Sequence, residues 1–88
     1  MTNTFKVYAD PSHAWIAVKR RLLVELGILE KITSCSYQHG GTVYLEEDCD
    51  AVTFVKAFKE KFGFSPSWDE HHTDDYSPVR YYNHFSLE

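Results

Sequence analysis

Residues 68–75 read WDEHHTDD, and six of them (Asp69, Glu70, His71, His72, Asp74 and Asp75) carry groups that ligate metals or move protons. Carboxylates beside imidazoles are the donor set of hydrolytic metal sites. On a strand, alternation sends Glu70, His72 and Asp74 to one side and Asp69, His71 and Thr73 to the other. The metal-ligand candidates are therefore Glu70, His72 and Asp74, with His84 or His13 joining them if the fold brings either near. No HxxxH or CxxC spacing accompanies them. Polar residues on both sides of a strand also keep an exposed sheet edge from pairing with other chains. That explanation needs no ligand, and the sequence favours it.

A second acidic group lies in LEEDCD, residues 45–50. Asp48 or Asp50 is placed to cap the helix that follows, where a carboxylate complements the helix N-terminus. The segment lacks the spacing of a calcium loop. Nucleophile arrangements are weaker. Cys35 is expected on the inward face of a hairpin, as a packed thiol, and no GxSxG, Walker or GxGxxG motif occurs. KRR at 19–21 reads as a solvated helix start. Tyr76, Tyr81 and Tyr82 with Arg80 have the makings of a base-stacking platform, but the surrounding acids leave little to hold a phosphate backbone. Sheet packing is the simpler use for those rings.

The elements that must position these groups fit one small domain. The chain has 88 residues, including six Phe, six Tyr and two Trp, enough aromatic area to close a core without metal or disulfide. Cys35 and Cys49 are expected as two buried, reduced thiols. No apolar run approaches the roughly 20 residues of a membrane span, so a soluble, intracellular protein is expected. The charge is unevenly spread. Residues 1–44 hold five basic side chains against three acidic ones, and residues 45–88 hold four against ten. The second half would repel free nucleic acid and attract a basic protein surface.

TFKVYA alternates as a first strand. DPSHAWIAVKRRLLVELG admits two readings: one long helix capped by Asp10-Pro11, or a strand HAWIAV after a turn at Asp10-Pro11-Ser12, followed by a short helix over Lys19–Leu26. The second is favoured. ITSCSYQHGGTVYLEE is a hairpin: a two-residue Gly40-Gly41 loop would set Tyr37 against Tyr44 and Cys35 against Glu46, whereas a three-residue loop at His39-Gly40-Gly41 would set Tyr37 against Val43 and Cys35 against Leu45. The second gathers the apolar residues on one face and is favoured. In DCDAVTFVKAFKEKFG, Ala51, Phe54, Val55, Phe58 and Phe62 fall at helical spacing, and Gly63 ends the helix. SPSWDEHHTD and VRYYNHF then read as a closing strand pair. The fold expected is α+β over residues 1–86: an antiparallel sheet of five to six strands in β-β-α-β-β-α-β-β order, with two helices on one face. Leu87-Glu88 reads as an expression scar.

Taken together, HAWIAV, LGI, KITSCSYQHGGTVYLEEDCD and PVRYYNHF resemble a family of small bacteriophage and plasmid proteins. The resemblance runs from about His13 to Phe85. In that family a proline often follows the HAWIAV segment, where this chain has Lys19, which supports a strand there. The resemblance implies a mobile-element context and no particular reaction.

With no catalytic motif, the expectation is a non-enzymatic binding protein without a cofactor, working in the cytoplasm of a bacterial host. Glu46, Glu47, Asp48, Asp69, Glu70, Asp74 and Asp75, with Tyr76 beside them, would meet a basic host protein. Imitating the charge of nucleic acid would suit an anti-defence role against restriction or CRISPR. Membrane insertion and direct nucleic-acid binding are not expected. The alternatives are a metal-dependent hydrolase or nuclease built on Glu70, Asp74 and His71 or His72, and a sponge for a signalling nucleotide. An exposed last strand also leaves room for a homodimer across a two-fold axis.

Overall fold

The computed structural model describes residues 3–87. Met1, Thr2 and Glu88, the outermost residues of the expected domain and scar, lie outside the described residues. The chain forms β1 (Thr4–Ala9), β2 (Ala14–Lys19), α1 (Arg20–Glu25), a 3-10 turn (Leu29–Lys31), β3 (Tyr37–His39), β4 (Thr42–Glu46), α2 (Asp50–Phe62), β5 (Ser67–His72), a second 3-10 turn (Pro78–Tyr81) and β6 (Asn83–His84). This is the α+β arrangement expected, with HAWIAV a strand that runs straight into a short helix.

The six strands form one sheet in the order β5-β1-β2-β4-β3-β6. Every pairing is antiparallel except β1 with β5, which is parallel. The parallel pair corrects the fully antiparallel sheet expected, and its cause is α2. A strand that leaves β4 through a helix returns in the same direction, and here it returns beyond β2 and β1. The closing strand pair is also corrected. β5 and β6 sit at opposite edges of the sheet, and residues 79–81 of VRYYNHF belong to the 3-10 turn over Pro78–Tyr81, leaving only Asn83–His84 as strand.

Both helices cover one face. Ile16, Val18, Val43 and Leu45 point into it and are buried with Leu23 of α1 and Ala51, Phe54 and Phe58 of α2. Phe5 meets Phe54 and Phe58 edge-on, at ring centroids 5.1 and 5.7 Å, the geometry that aromatic quadrupoles favour. α2 ends at Gly63, whose φ of +80° is the left-handed cap that glycine adopts without strain. Its start differs from expectation. Neither Asp48 nor Asp50 is the N-cap, which is Cys49 without a side-chain cap bond. Asp50 is 2% exposed. Its carboxylate accepts from the Thr33 backbone N–H and hydroxyl and from the Ser36 hydroxyl, while Ser36 Oγ accepts from the Glu46 N–H. One buried carboxylate thus ties the 33–36 loop to α2 and to the end of β4.

The hairpin register is corrected as well. Tyr37 lies opposite Tyr44 and His39 opposite Thr42, so the loop is the two residues Gly40-Gly41. Gly40 has φ +60° and Gly41 does not share it, which suits a glycine-first two-residue turn. Cys35 falls in the turn before β3, outside any strand, and is exposed; Cys49 is half-buried, and both thiols are free. The Thr33 hydroxyl, in contact with Cys49 Sγ at 3.5 Å, lowers that thiol's pKa, but Cys35, burial and Asp50 together push it above the ordinary range.

Candidate functional site

Strand direction sorts the charges by end of the sheet. The register of β1, β2, β4 and β5 brings Ala9, Ala14, Glu46 and His72 to one end and Thr4, Lys19, Thr42 and Ser67 to the other. The first end therefore carries Glu46, Glu47 and Asp48 as β4 runs out, and Asp74 and Asp75 as β5 runs out. The second carries Lys19, Arg20 and Arg21. The uneven charge along the sequence becomes a polarity along the strands.

At the acidic end, on the helix side, the layers part and leave a groove of about 810 Å³. Its floor is Val7, Ala9, Ala14 and Ile16 of β1 and β2. Val52 and Val55 of α2 form one wall, and Trp68 of β5 forms the other. Val52 is 63% exposed and Trp68 40% exposed, so apolar surface is open to solvent here. Glu47, Glu60 and Glu70 stand around it, with Lys56 and Lys59 of α2. A recess of this size with a mainly apolar lining and a few charges has the character of a binding site.

Of the acids expected to bind a partner, Glu47 and Glu70 line this groove. The others are dispersed. Glu46 is on the opposite face of β4, 3.5 Å from His13 Nδ1, and its second oxygen accepts the Asp48 N–H at 3.0 Å. Asp69 faces that side too and contacts His71 Nε2 at 3.1 Å. Asp48, Asp74 and Asp75 are exposed in turns, and Tyr76 packs on Arg80, with the guanidinium 4.8 Å above its ring. β5 is exposed throughout and forms one edge of the sheet, as the edge explanation for WDEHHTDD requires.

The expected metal trio is not assembled. Asp74 lies beyond the end of β5, where it contacts His72 Nδ1 at 3.7 Å, and Glu70 turns to the groove. Among the described residues, the donors that do converge are His13, Glu46 and Glu47, whose ligating atoms lie within 4.8 Å of one another. An imidazole with two carboxylates suits zinc or manganese. Their convergence depends on the β2–β4 register, which a sequence does not display.

Behind His13 lies an anchor the sequence reading missed. Asp10 has no exposed side-chain surface and accepts the N–H groups of Ser12 and His13 at 3.0 Å each, shaping the β1–β2 turn. It also accepts the Ser77 N–H at 3.0 Å and a fork from Arg80, Nε at 2.6 Å and Nη2 at 3.0 Å. Arg80 holds the carboxyl far below the ordinary carboxylate range, against the opposing effect of burial, with the three N–H groups adding to it. The Arg80 guanidinium in turn covers the ring of Trp15, 5.4 Å from its centroid. Asp-Pro-Ser at 10–12 was a legible turn signal, but its tie to Arg80, seventy positions away, was not.

The chain matches no family model, no curated protein and no solved structure. Among the described residues, no helix is long and apolar enough to cross a membrane.

Proposed function

We propose that this chain is a non-enzymatic binding protein that docks on a basic protein surface through the acid-flanked groove at one end of its sheet. The observation that carries the reading is the coincidence of an open apolar groove with Glu47, Glu60 and Glu70, which outnumber Lys56 and Lys59 there. An apolar anchor gives affinity when buried, and the carboxylates select and steer a cationic partner. The mobile-element resemblance makes a cytoplasmic host protein, such as a nucleic-acid-binding defence factor, the natural target. Such a factor already carries the basic surface required.

The test is a pull-down from nuclease-treated bacterial lysate at low salt, repeated with Glu47→Lys/Glu70→Lys. A basic protein should be retained by the native chain, released as salt rises, and lost with the double variant while its melting temperature is unchanged. Recovery of no basic partner, or undiminished recovery by the variant, sinks the proposal.

The convergence of His13, Glu46 and Glu47 favours a second reading, metal-assisted hydrolysis, in which an ion held there would activate water. Calorimetric titration with zinc and manganese separates the two. A saturable heat that disappears in His13→Ala supports the metal reading, and no heat with either ion eliminates it.

A further inference from the structure

The face of the sheet opposite the helices has a second, independent feature. From β5 at one edge the chain must cross the whole sheet to reach β6 at the other, and it does so over this face. The crossing is fixed at the acidic end, where Arg80 meets Asp10 and Trp15, and Tyr82 then packs on Tyr44 and His39 at centroids 5.1 and 4.4 Å. Beside this crossing, the basic end of β1 and β2 is left as a cleft of about 700 Å³.

Ala17 is its small floor, and Tyr8 and Tyr44 lean together over it with ring centroids 6.1 Å apart. Lys6, Lys19 and Arg21 line it against one acid, Glu25. Lys19 has a single long contact, 3.5 Å to the Thr42 hydroxyl, and Lys6 and Arg21 are exposed cations with no ion pair among the described residues. Three cations sharing one cleft repel each other, and an anion between them removes that repulsion. Burial, followed by Tyr82 and Tyr8 nearby, raises the Tyr44 pKa.

We propose that this cleft binds a nucleoside phosphate, its base stacked on Tyr8 and Tyr44 above Ala17 and its phosphates held by Lys6, Lys19 and Arg21. Stacking on tyrosine is indifferent to which base is present, and a recess of this size holds one nucleotide. The charge layout selects a mononucleotide over a nucleic-acid strand. A strand needs a continuous basic track, whereas along this face the cations give way to Asp69 and Glu46. The site shares no residue with the acid-flanked groove, so either can fail without the other.

Calorimetric titration with ATP and with GTP, in EDTA to exclude metal bridging at the acidic end, tests the proposal. Tripolyphosphate, adenosine and a short oligothymidylate serve as comparison probes. One nucleotide should bind per chain, more tightly than tripolyphosphate or adenosine. Lys6→Ala/Arg21→Ala should weaken it about tenfold or more through lost charge, while Glu47→Lys leaves it unchanged. Ala17→Leu, which fills the floor, should abolish stacking, and unchanged melting temperatures would show that both variants fold. Absence of saturable nucleotide binding overturns the proposal. So does tripolyphosphate binding equal to the nucleotide's, which would mean cations alone, or tighter binding of the oligothymidylate.

Discussion

Asp10 is a buried carboxylate that ties the β1–β2 turn to the crossing segment. Its carboxylate is fully buried, yet each oxygen is satisfied by backbone N–H groups and by the Arg80 fork. Removing the charge while keeping the shape, in Asp10→Asn, replaces an acceptor by an NH₂ group facing donors. The expected loss is about 2–3 kcal/mol, the scale of charge-assisted hydrogen bonds. The pH dependence follows from the depressed pKa. In the unfolded chain Asp10 takes up its proton near pH 4, while the folded protein resists it. As pH falls below about 4 the unfolded state binds more protons, so this stabilisation drains away; above that it is complete. Urea unfolding should therefore show Asp10→Asn less stable at neutral pH and with a shallower acid decline. An unchanged acid slope would show that the carboxylate is not the group responsible. None of this was visible at residues 10–12, where Asp-Pro-Ser announces only a turn or a helix cap.

At the scale of elements, local pattern carried well where one neighbour decided the outcome. The phenylalanine spacing of α2 and its Gly63 cap follow from near-neighbour periodicity and reappear in the fold, and the strand-then-helix reading of residues 13–26 reappears with each boundary within one residue. The hairpin register failed for a specific reason. It assumed one buried face and one wet face, whereas the crossing segment brings Tyr82 onto Tyr44, and Tyr37 packs between Trp15 of β2 and His84 of β6. Tyr37 and Tyr44 are thereby free to sit together, away from Val43 and Leu45. The edge role of WDEHHTDD has its own test. Asp69→Thr/Glu70→Thr/His71→Val keeps strand-forming residues but removes the charges that discourage edge-to-edge pairing. Self-association should then rise in sedimentation velocity at micromolar concentration with β content retained. A variant that stays monomeric would leave those charges to partner binding alone.

For the whole molecule, folding turns a gradient along the sequence into a gradient along the strands. The acidic groove and the basic cleft lie at opposite ends, on opposite faces, of a body whose longest extent is 35 Å. Six-residue β1 and β2 set the charged ends of the sheet roughly 17 Å apart, about twice the roughly 8 Å screening length at physiological salt, so each end acts on its surroundings largely independently. Net charge is then a poor guide to what this protein binds, and local charge is the useful quantity. For a basic partner at the groove, this has a kinetic signature. Steering by the acidic end should raise the association rate at low salt, while the buried contacts on Trp68, Val52 and the groove floor set the dissociation rate. Raising salt from about 0.05 to 0.3 M should slow association roughly tenfold and change dissociation little. Trp68→Ala should do the reverse, speeding dissociation at every salt concentration, because it removes an anchor and leaves the field intact. Surface plasmon resonance with the recovered partner reads both rates. If Trp68→Ala left dissociation unchanged, the groove would be a bystander, and the contact would lie with the exposed acids Asp48, Asp74 and Asp75 instead.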